Sequence, residues 1–195
     1  MIPRTAIIKR KTRETDISLQ INLDGTGQMA INTGLGFLDH MLSTLALHAG
    51  WDLQLQCQGD LEVDDHHSAE DCAICLGQGL DQALGERQNL QRFGSAMVPL
   101  DEAVARSVVD LATRPWSEVD LQLKREFLGT MACENLDHFL RSFATSGRFC
   151  CHVDVLKGSN DHHKAEAAFK SLAVALRLAL TPTANQPDPS TKGVL

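Results

Sequence analysis

Two short segments of this chain carry the same chemistry-bearing pattern, two adjacent histidines followed by a glutamate. The segments are residues 66–70 and 162–166, and both read H-H-x-A-E. On a helix, the glutamate is an i,i+4 neighbour of the first histidine and an i,i+3 neighbour of the second, so either histidine can share an ion with it. Adjacent residues diverge by about 100° around a helix axis. The two histidines of each pair are therefore placed to serve two different metal ions.

A second motif recurs at nearly the same offset and predicts an internal duplication. Leu-Asp-His ends at His40 and again at His138, which lies 98 residues later, whereas the H-H-x-A-E segments lie 96 residues apart. Two motifs that recur in the same order are typical of a duplicated unit. Six of the eight histidines fall in these motifs. The spacing assigns no role to the other two, His48 and His152.

The ligand count predicts a dinuclear metal site. Six imidazoles and two carboxylates divide into three histidines and one glutamate for each ion, which leaves positions open for water or substrate on an octahedral ion. Ligation by nitrogen and oxygen without cysteine favours Mn²⁺, Fe²⁺ or Co²⁺ over Zn²⁺. The residue order differs from the H-E-x-x-H of zinc peptidases, and the carboxylates are too few for a di-iron bundle.

The elements that must position these motifs follow the same repeat. Alternating and helical patterns predict strands at 6–9, 16–23 and 28–31, a helix at 37–48, a strand at 52–57 and a helix at 66–84. They also predict strands at 95–99, 103–111 and 116–122, a helix at 134–146, a strand at 149–155 and a helix at 162–180. Gly50 ends the first helix, and Asp64, Asp65 and Asp161 are candidate N-caps.

The predicted fold is α+β, an internal duplication of a β-β-β-α-β-α unit with helices packed on one face of each four-stranded sheet. The predicted halves are residues 1–90 and 91–182, followed by a tail at 183–195. Both long helices begin at an H-H-x-A-E segment, so the repeat places the candidate ligands at helix starts.

Composition excludes some classes of protein. The 195 residues carry a net charge of −7, which disfavours nucleic acid as a partner. A membrane span needs about 18 consecutive apolar residues, and no run in the sequence approaches that length. The N-terminus lacks the apolar core of a secretory signal, so we expect a cytoplasmic protein. Six cysteines are then expected as reduced thiols. Cys72 and Cys75 form a single C-x-x-C, interpreted as small buried helical residues rather than a zinc or redox pair.

Segments along essentially the whole chain resemble the monofunctional imidazoleglycerol-phosphate dehydratases of histidine biosynthesis. The matching segments are RKTRET at 10–15, GFLDHML at 36–42, DDHHSAED at 64–71, PLDEA at 99–103, VDLATRP at 109–115, NDHHKAEAAFK at 160–170 and PSTKG at 189–193. The resemblance implies dehydration of D-erythro-imidazoleglycerol phosphate to imidazole-acetol phosphate. It also implies two Mn²⁺ per active site, sites at subunit interfaces and assembly into a 24-mer.

By resemblance, the metal ligands form two sets. One set is His40, His67, Glu70 and His162, and the other is His66, His138, His163 and Glu166. Glu14 matches the substrate-site glutamate, and we expect it to be the catalytic acid or base, with support from Asp101 or Glu102. The implied substrate-binding set is Glu14, His40, His48, His66, Glu70, Arg92, Arg114, His162, Lys170, Ser190 and Lys192, in which Arg92, Arg114, Lys170, Ser190 and Lys192 bind the phosphate.

Two other functions stay open for the same residues. A dinuclear metallohydrolase would use activated water on a phosphate ester or amide. A non-enzymatic metal-binding assembly would bind ions without turnover, and it would leave Glu14 and the basic tail without a role.

Overall fold

Strands and helices of the predicted order lie in residues 3–183, the part of the chain that this computed structural model describes. The first half contains β1 (Thr5–Lys11), β2 (Thr15–Asn22), β3 (Met29–Asn32), α1 (Gly36–Ala49), β4 (Asp52–Gly59) and α2 (His66–Leu84). The second half contains β5 (Phe93–Leu100), β6 (Ala103–Asp110), β7 (Trp116–Asp120), β8 (Phe127–Leu128), β9 (Met131–Ala132), α3 (Cys133–Ser146), β10 (Cys150–Lys157) and α4 (Asp161–Ala179). The β8–β9 hairpin was absent from the prediction, since two-residue strands carry no periodicity.

The two halves have the same sheet topology. The strand orders are β1-β2-β4-β3 and β5-β6-β10-β7. The third strand of each half pairs in parallel with the strand that follows the first helix, and the other pairs are antiparallel. Along β2, Ile17, Leu19 and Ile21 are buried and alternate with exposed polar residues, as a strand covered on one face requires. The α+β class and the repeated unit are confirmed.

The four helices lie between the two sheets and pair across the duplication. α2 packs on β1 and β2, and α4 packs on β5 and β6. α1 packs against α4, and α2 packs against α3. Buried residues of both halves therefore form one hydrophobic core cluster. This crossed pairing brings the Leu-Asp-His motif of each half to the H-H-x-A-E motif of the other.

Close contact between α2 and α3 depends on a glycine. A Cβ on Gly77 would lie 2.6 Å from the backbone nitrogen of Gly147 and 2.7 Å from the carbonyl oxygen of Phe143. We expect Gly77→Ala to lower the free energy of unfolding by about 1–3 kcal/mol, measured by urea denaturation, because the helices must move apart. Gly36→Ala is the control, since nothing lies within 4 Å of its added Cβ. Equal losses in the two variants would contradict this account.

The structure also bears on the predicted end of the first helix, the cysteines and the absence of a membrane span. α1 is followed by Gly50 in the left-handed conformation (φ 76°), which satisfies the last carbonyls as predicted. Cys72 and Cys75 are buried on α2, and all six cysteines are free. No helix within residues 3–183 is long and apolar enough to cross a membrane. Ser190 and Lys192 of the predicted tail lie outside the described residues.

Candidate metal centres

A polar side chain two residues before each motif accepts a hydrogen bond from the backbone of its first histidine. In α4 this is the N-cap bond of Asn160, whereas the N-cap of α2, Asp65, makes no side-chain cap bond. Asp64 Oδ1 accepts a hydrogen bond from the backbone N–H of His66 at 2.9 Å, and Asn160 Oδ1 accepts one from that of His162 at 2.9 Å. The predicted cap at Asp161 is wrong, because Asp161 is already the first residue of α4. Its carboxylate instead accepts hydrogen bonds from the backbone of the β7–β8 loop and from a buried lysine ammonium.

The first candidate metal centre, centre A, consists of His40 of α1 with His162 and Glu166 of α4. One ligand atom of each residue lies within 4.8 Å of the other two. The Nε2 atoms of His40 and His162 each lie 3.2 Å from Oε2 of Glu166, and the Lys170 ammonium lies 2.6 Å from Oε1. Burial raises the pKa of Glu166, but the hydrogen bonds from Lys170 and His40 outweigh it and lower the pKa to about 2. Glu166 is therefore an anionic candidate ligand.

The second, centre B, consists of His66 and Glu70 of α2 with His138 of α3. Their ligand atoms also lie within 4.8 Å of one another. His138 Nε2 lies 2.8 Å from Glu70 Oε1, and the His66 and His138 rings stack at 4.8 Å between centroids. His66 Nδ1 lies 2.9 Å from Oδ1 of Asn135, one turn before His138. Two imidazoles and one carboxylate without a thiol fit a hard divalent cation in both centres.

The second histidine of each pair points away from both centres, as the helix geometry predicts. His67 Nδ1 lies 3.0 Å from Asp60 Oδ2, and its Nε2 lies 3.7 Å from Glu14 Oε1. This hydrogen bond to Asp60 raises the pKa of His67. The ring centroids of His66 and His67 are 6.1 Å apart with planes at 76°, so their nitrogens do not converge.

His163 repeats this arrangement in the second half. Its Nδ1 lies 2.7 Å from Glu102 Oε2, and its Nε2 lies 3.8 Å from Asp101 Oδ2. The hydrogen bond raises the pKa of His163, and the same bond with two backbone N–H groups lowers that of Glu102. Glu14 follows β1, and Asp101 and Glu102 follow β5, so the corresponding hairpin turn of each half places an acidic group near the second, outward-pointing histidine of its motif.

Within one chain, each glutamate lies with the histidines of one centre. Glu166 lies with His40, and Glu70 lies with His138. The grouping that the resemblance implies, Glu70 with His40 and Glu166 with His138, would join ligands of different subunits and stays a prediction. Each glutamate shares its centre with the histidine four residues earlier on its own helix, because i,i+4 side chains lie on one face.

Among residues 3–183, the predicted phosphate-binding residues lie in two places, with Lys170 apart from Arg92 and Arg114. Lys170 lies at centre A. Burial of His48 and, as the second cause, the positive charge of nearby Lys170 lower the pKa of His48. Arg92 lies beyond the other end of α4, where its backbone N–H donates to Ala179 O at 3.0 Å and its guanidinium pairs with Asp110 at 2.8 Å. Thirteen residues of helix separate Ala179 from Glu166, a rise of about 20 Å. Arg114 lies in the loop after β6, near Asp110.

The aspartates of the two Leu-Asp-His motifs differ in environment. Asp39 accepts hydrogen bonds from the backbone N–H and hydroxyl of Thr33 at 2.8 and 2.7 Å. For Asp137, burial raises the pKa to about 6 against the opposing charge of Arg141. The unfolded carboxyl ionises near pH 4. The folded state therefore binds the extra proton between about pH 4 and 6, and the stability that this proton supplies is lost as pH rises through that window.

We expect Asp137→Asn to raise the free energy of unfolding at pH 7.5 by about 1–2 kcal/mol, less than the full shift implies because the side chain is partly solvated. At pH 4 the gain disappears. Asp39→Asn is the matched variant, and it loses about 1–2 kcal/mol at pH 7.5 because it loses an anionic acceptor. Urea denaturation at both pH values measures both effects, and a pH-independent gain for Asp137→Asn would contradict the assignment.

Asp60, Asn135 and Phe37 contact the candidate ligands but were not predicted. Phe37 packs edge-on against the rings of His40 and His162. Phe37 and Asn135 each lie three residues before a motif histidine, so alignment of the two halves would have drawn attention to both. Asp60 follows β4 and has no repeated counterpart that spacing could detect.

The crossed helices and the two histidine–glutamate groups define a duplicated α+β protein with two candidate metal sites. Residues 33–176 match the family model described as imidazoleglycerol-phosphate dehydratase. The chain belongs to this family, whose members are metal-dependent hydro-lyases of histidine biosynthesis that act on a small phosphorylated substrate, and it is an enzyme of that class.

Relatives named imidazoleglycerol-phosphate dehydratase match nearly the whole chain. The Saccharomyces cerevisiae protein is 47% identical, with 100% of both chains covered, and the Candida glabrata protein is 50% identical, with 97% of this chain and 99% of that protein covered. The Phytophthora nicotianae protein is 54% identical over 98% of this chain, which spans 42% of that relative's length.

Solved structures of imidazoleglycerol-phosphate dehydratases have the same fold. The Staphylococcus aureus enzyme has a TM-score of 0.83 at 36% identity, with 92% of this chain and 99% of that chain covered. The Pyrococcus furiosus enzyme, in complex with (S)-C348, has a TM-score of 0.82 at 36% identity, with 96% and 100% covered.

Proposed function

We propose that this chain dehydrates D-erythro-imidazoleglycerol phosphate to imidazole-acetol phosphate in the cytoplasm, with one Mn²⁺ in each centre. The observation that supports two ions is the presence of two separate groups of two imidazoles and one carboxylate. Both groups supply nitrogen and oxygen donors, which suit Mn²⁺. We expect neither nucleic acid nor a membrane as a partner.

Each ion takes its ligands from two subunits. His67 and His163 belong to the same motifs as the centre ligands but point elsewhere. The Nδ1 atom of His67 is hydrogen-bonded to Asp60 and that of His163 to Glu102, so the Nε2 atom of each ring is left to bind an ion. By family resemblance, His67 and Glu70 of one subunit share an ion with His40 and His162 of another, and His163 and Glu166 share one with His66 and His138. The side chains of His40 and His138 are 44% and 39% exposed in the single chain, as ligands at a subunit interface would be. This arrangement supports the 24-mer that the family implies.

The reaction requires removal of an unactivated C–H proton and loss of a poor leaving group. The carbon that loses the proton has no neighbouring carbonyl, so its proton is weakly acidic. When bound, the metal ions supply Lewis-acid stabilisation of the substrate's imidazolate. Glu14 is the candidate acid or base, because its carboxylate lies at the outward histidine and its side chain is 52% exposed, open to a substrate held by another subunit. In the second half, Asp101 and Glu102 lie beside His163 as Glu14 lies beside His67.

Phosphate binding also draws on more than one chain. Lys170 lies at centre A, whereas Arg92 lies beyond the far end of α4, about 20 Å along the helix, and Arg114 lies with Arg92 near Asp110. Guanidinium groups bind phosphate in a bidentate manner and lysine binds it as a point charge. We place Arg92 and Arg114 in the site of a neighbouring subunit, together with Ser190 and Lys192. His48 lies beside Lys170 and completes the substrate-binding set that the family implies.

The deciding experiment is incubation of the Mn²⁺-loaded chain with imidazoleglycerol phosphate. We expect imidazole-acetol phosphate to form without release of inorganic phosphate. A metallohydrolase would release inorganic phosphate, and a storage assembly would bind Mn²⁺ without any turnover. Either outcome would reject the proposal.

A further inference from the structure

The linker between the two halves, residues 85–92, has a strained backbone. It joins α2 to β5. Within residues 3–183, six residues other than glycine have positive φ, and three of them lie in this linker: Arg87 at 54°, Asn89 at 55° and Arg92 at 68°. Such left-handed conformations are costly for residues with a Cβ, and they persist only where the surrounding structure holds them. The linker must therefore be held by strong contacts with the rest of the chain.

The side chain of Arg87 supplies these contacts. It is 1% exposed, and its guanidinium makes four hydrogen bonds. Nη1 donates to the carbonyl oxygens of Leu111 at 2.8 Å and Arg148 at 2.7 Å. Nη2 donates to the carbonyl oxygen of Gly147 and to Asp81 Oδ1, both at 2.6 Å. One buried side chain thus ties the linker to α2, to the loop after β6 and to the turn between α3 and β10.

Two of these tied segments carry the arginines that the proposed function assigns to the phosphate. Arg92 ends the linker, and Arg114 lies in the loop after β6. Leu111 of this loop is held on both sides, since its carbonyl oxygen accepts from Arg87 and its N–H donates to the carbonyl oxygen of Arg92 at 3.0 Å. The Arg92 guanidinium also pairs with Asp110 at 2.8 Å. Arg87 therefore fixes the spacing between the backbone segments that carry both arginines.

The linker also holds the segment that leads into the C-terminal tail. The backbone N–H of Gln91 donates to the carbonyl oxygen of Thr181 at 2.9 Å, and that of Thr183 donates to the carbonyl oxygen of Asn89 at 2.7 Å. The predicted phosphate-binding residues of the tail follow this segment in the sequence. Three chain segments that the proposed function assigns to phosphate therefore start from contacts with the linker.

We propose that Arg87 is a positioning residue of the phosphate site, which acts through Arg92 and Arg114 and does not itself contact the phosphate. Its guanidinium is buried and bonded to protein acceptors, so it is not offered to a ligand. Guanidinium groups bind phosphate through directional, bidentate hydrogen bonds, so their affinity depends on the position of their backbones. This inference rests on the proposed function, which places Arg92 and Arg114 at the phosphate.

The test compares Arg87→Met with Arg148→Met in the Mn²⁺-loaded full-length protein. Both side chains bind Asp81, and of the two Arg87 donates to Leu111 as well. Steady-state kinetics with imidazoleglycerol phosphate give KM and kcat. We expect Arg87→Met to raise KM about tenfold or more and to change kcat by less than about threefold, because contacts to the unreacting phosphate are made equally in the ground state and the transition state. Arg148→Met should leave both constants unchanged.

Binding of inorganic phosphate measures the same site without turnover. Isothermal titration calorimetry should show that Arg87→Met raises the dissociation constant of inorganic phosphate about tenfold, whereas elemental analysis should show unchanged Mn²⁺ per chain. Arg87→Lys keeps the charge but has three donors on a single nitrogen, which cannot span the four acceptors. This variant should lie between the wild-type protein and Arg87→Met, with KM raised about threefold or more.

The outcomes separate this inference from the proposed function. A wild-type protein that does not dehydrate imidazoleglycerol phosphate rejects the proposed function itself. If the wild-type protein is active, a variant of Arg87 that loses kcat at unchanged KM and unchanged phosphate affinity rejects the inference and leaves the proposed function in place. An equal rise of KM in Arg148→Met also rejects it, because the bond to Leu111 would then have no special effect. Circular dichroism checks each fold, and Arg87→Lys decides the question if Arg87→Met does not fold.

Discussion

Replacement of Glu14 by Gln is expected to lower kcat by about 10²–10⁴-fold, the range typical for loss of a general acid or base. Glu14 lies in the turn between β1 and β2, where its backbone N–H donates to Thr12 Oγ1 at 3.1 Å. Its carboxylate contributes no core packing, and its ion-pair distance of 3.7 Å to His67 Nε2 is loose. The amide therefore preserves the turn but can neither accept nor return the substrate proton.

Three measurements identify the role of Glu14. Steady-state kinetics give kcat, elemental analysis gives Mn²⁺ per chain, and light scattering gives particle size. We expect only kcat to change. Glu118→Gln is the control, because Glu118 is exposed on β7 and belongs to neither centre. A variant with near-normal turnover, or one that loses its metal, would exclude Glu14 as the acid or base.

Replacement of His67 by Ala is expected to lower activity by about 10³-fold or more, because several kcal/mol of Lewis-acid stabilisation depend on a fully liganded ion. His67 lies outside centres A and B of its own chain, so this substitution leaves both groups of three donors intact. The proposal nevertheless predicts weaker Mn²⁺ binding and a smaller particle at micromolar Mn²⁺, since a ligand from another subunit couples metal binding to assembly. His152→Ala is the control, because His152 is exposed on β10.

Mixed oligomers show whether His67 acts on another chain. His67→Ala keeps an intact centre A but donates no histidine, and His40→Ala donates His67 but has a broken centre A. Each variant alone should be nearly inactive. Co-refolded mixtures should regain activity at the interfaces where the His67 of one variant meets the intact centre of the other. Absence of recovery would show that His67 acts within its own chain.

The order of elements and the residues of the sites follow from local sequence. Alternation in β2 and the i,i+3 and i,i+4 apolar positions of the helices predict each strand and helix of the repeat to within a few residues. The helix starts at His66 and near His162 follow from polar side chains just before them in sequence that accept a backbone hydrogen bond. Periods of 2 and 3.6 are properties of short segments, so they can be read without knowledge of the fold.

The composition of each metal centre required the tertiary structure. His40 and Glu166 are 126 residues apart, and they meet only because α1 packs on α4 instead of on α2. Likewise, Asn135 reaches His66 because α2 packs on α3, and Gly77 permits that approach. The partners of a helix depend on shape and burial over the whole core, which no local pattern encodes.

By itself, the sequence determined the duplication, the α+β unit, the identity of the eight candidate ligands and the divergence of each histidine pair, because these depend on residue type and helical pitch. Only the tertiary structure decided which candidate ligands of one chain lie together, and that Arg92 lies at the opposite end of α4 from centre A. Those facts depend on which helix faces meet across the two halves, and the packing of side chains between two sheets decides that choice.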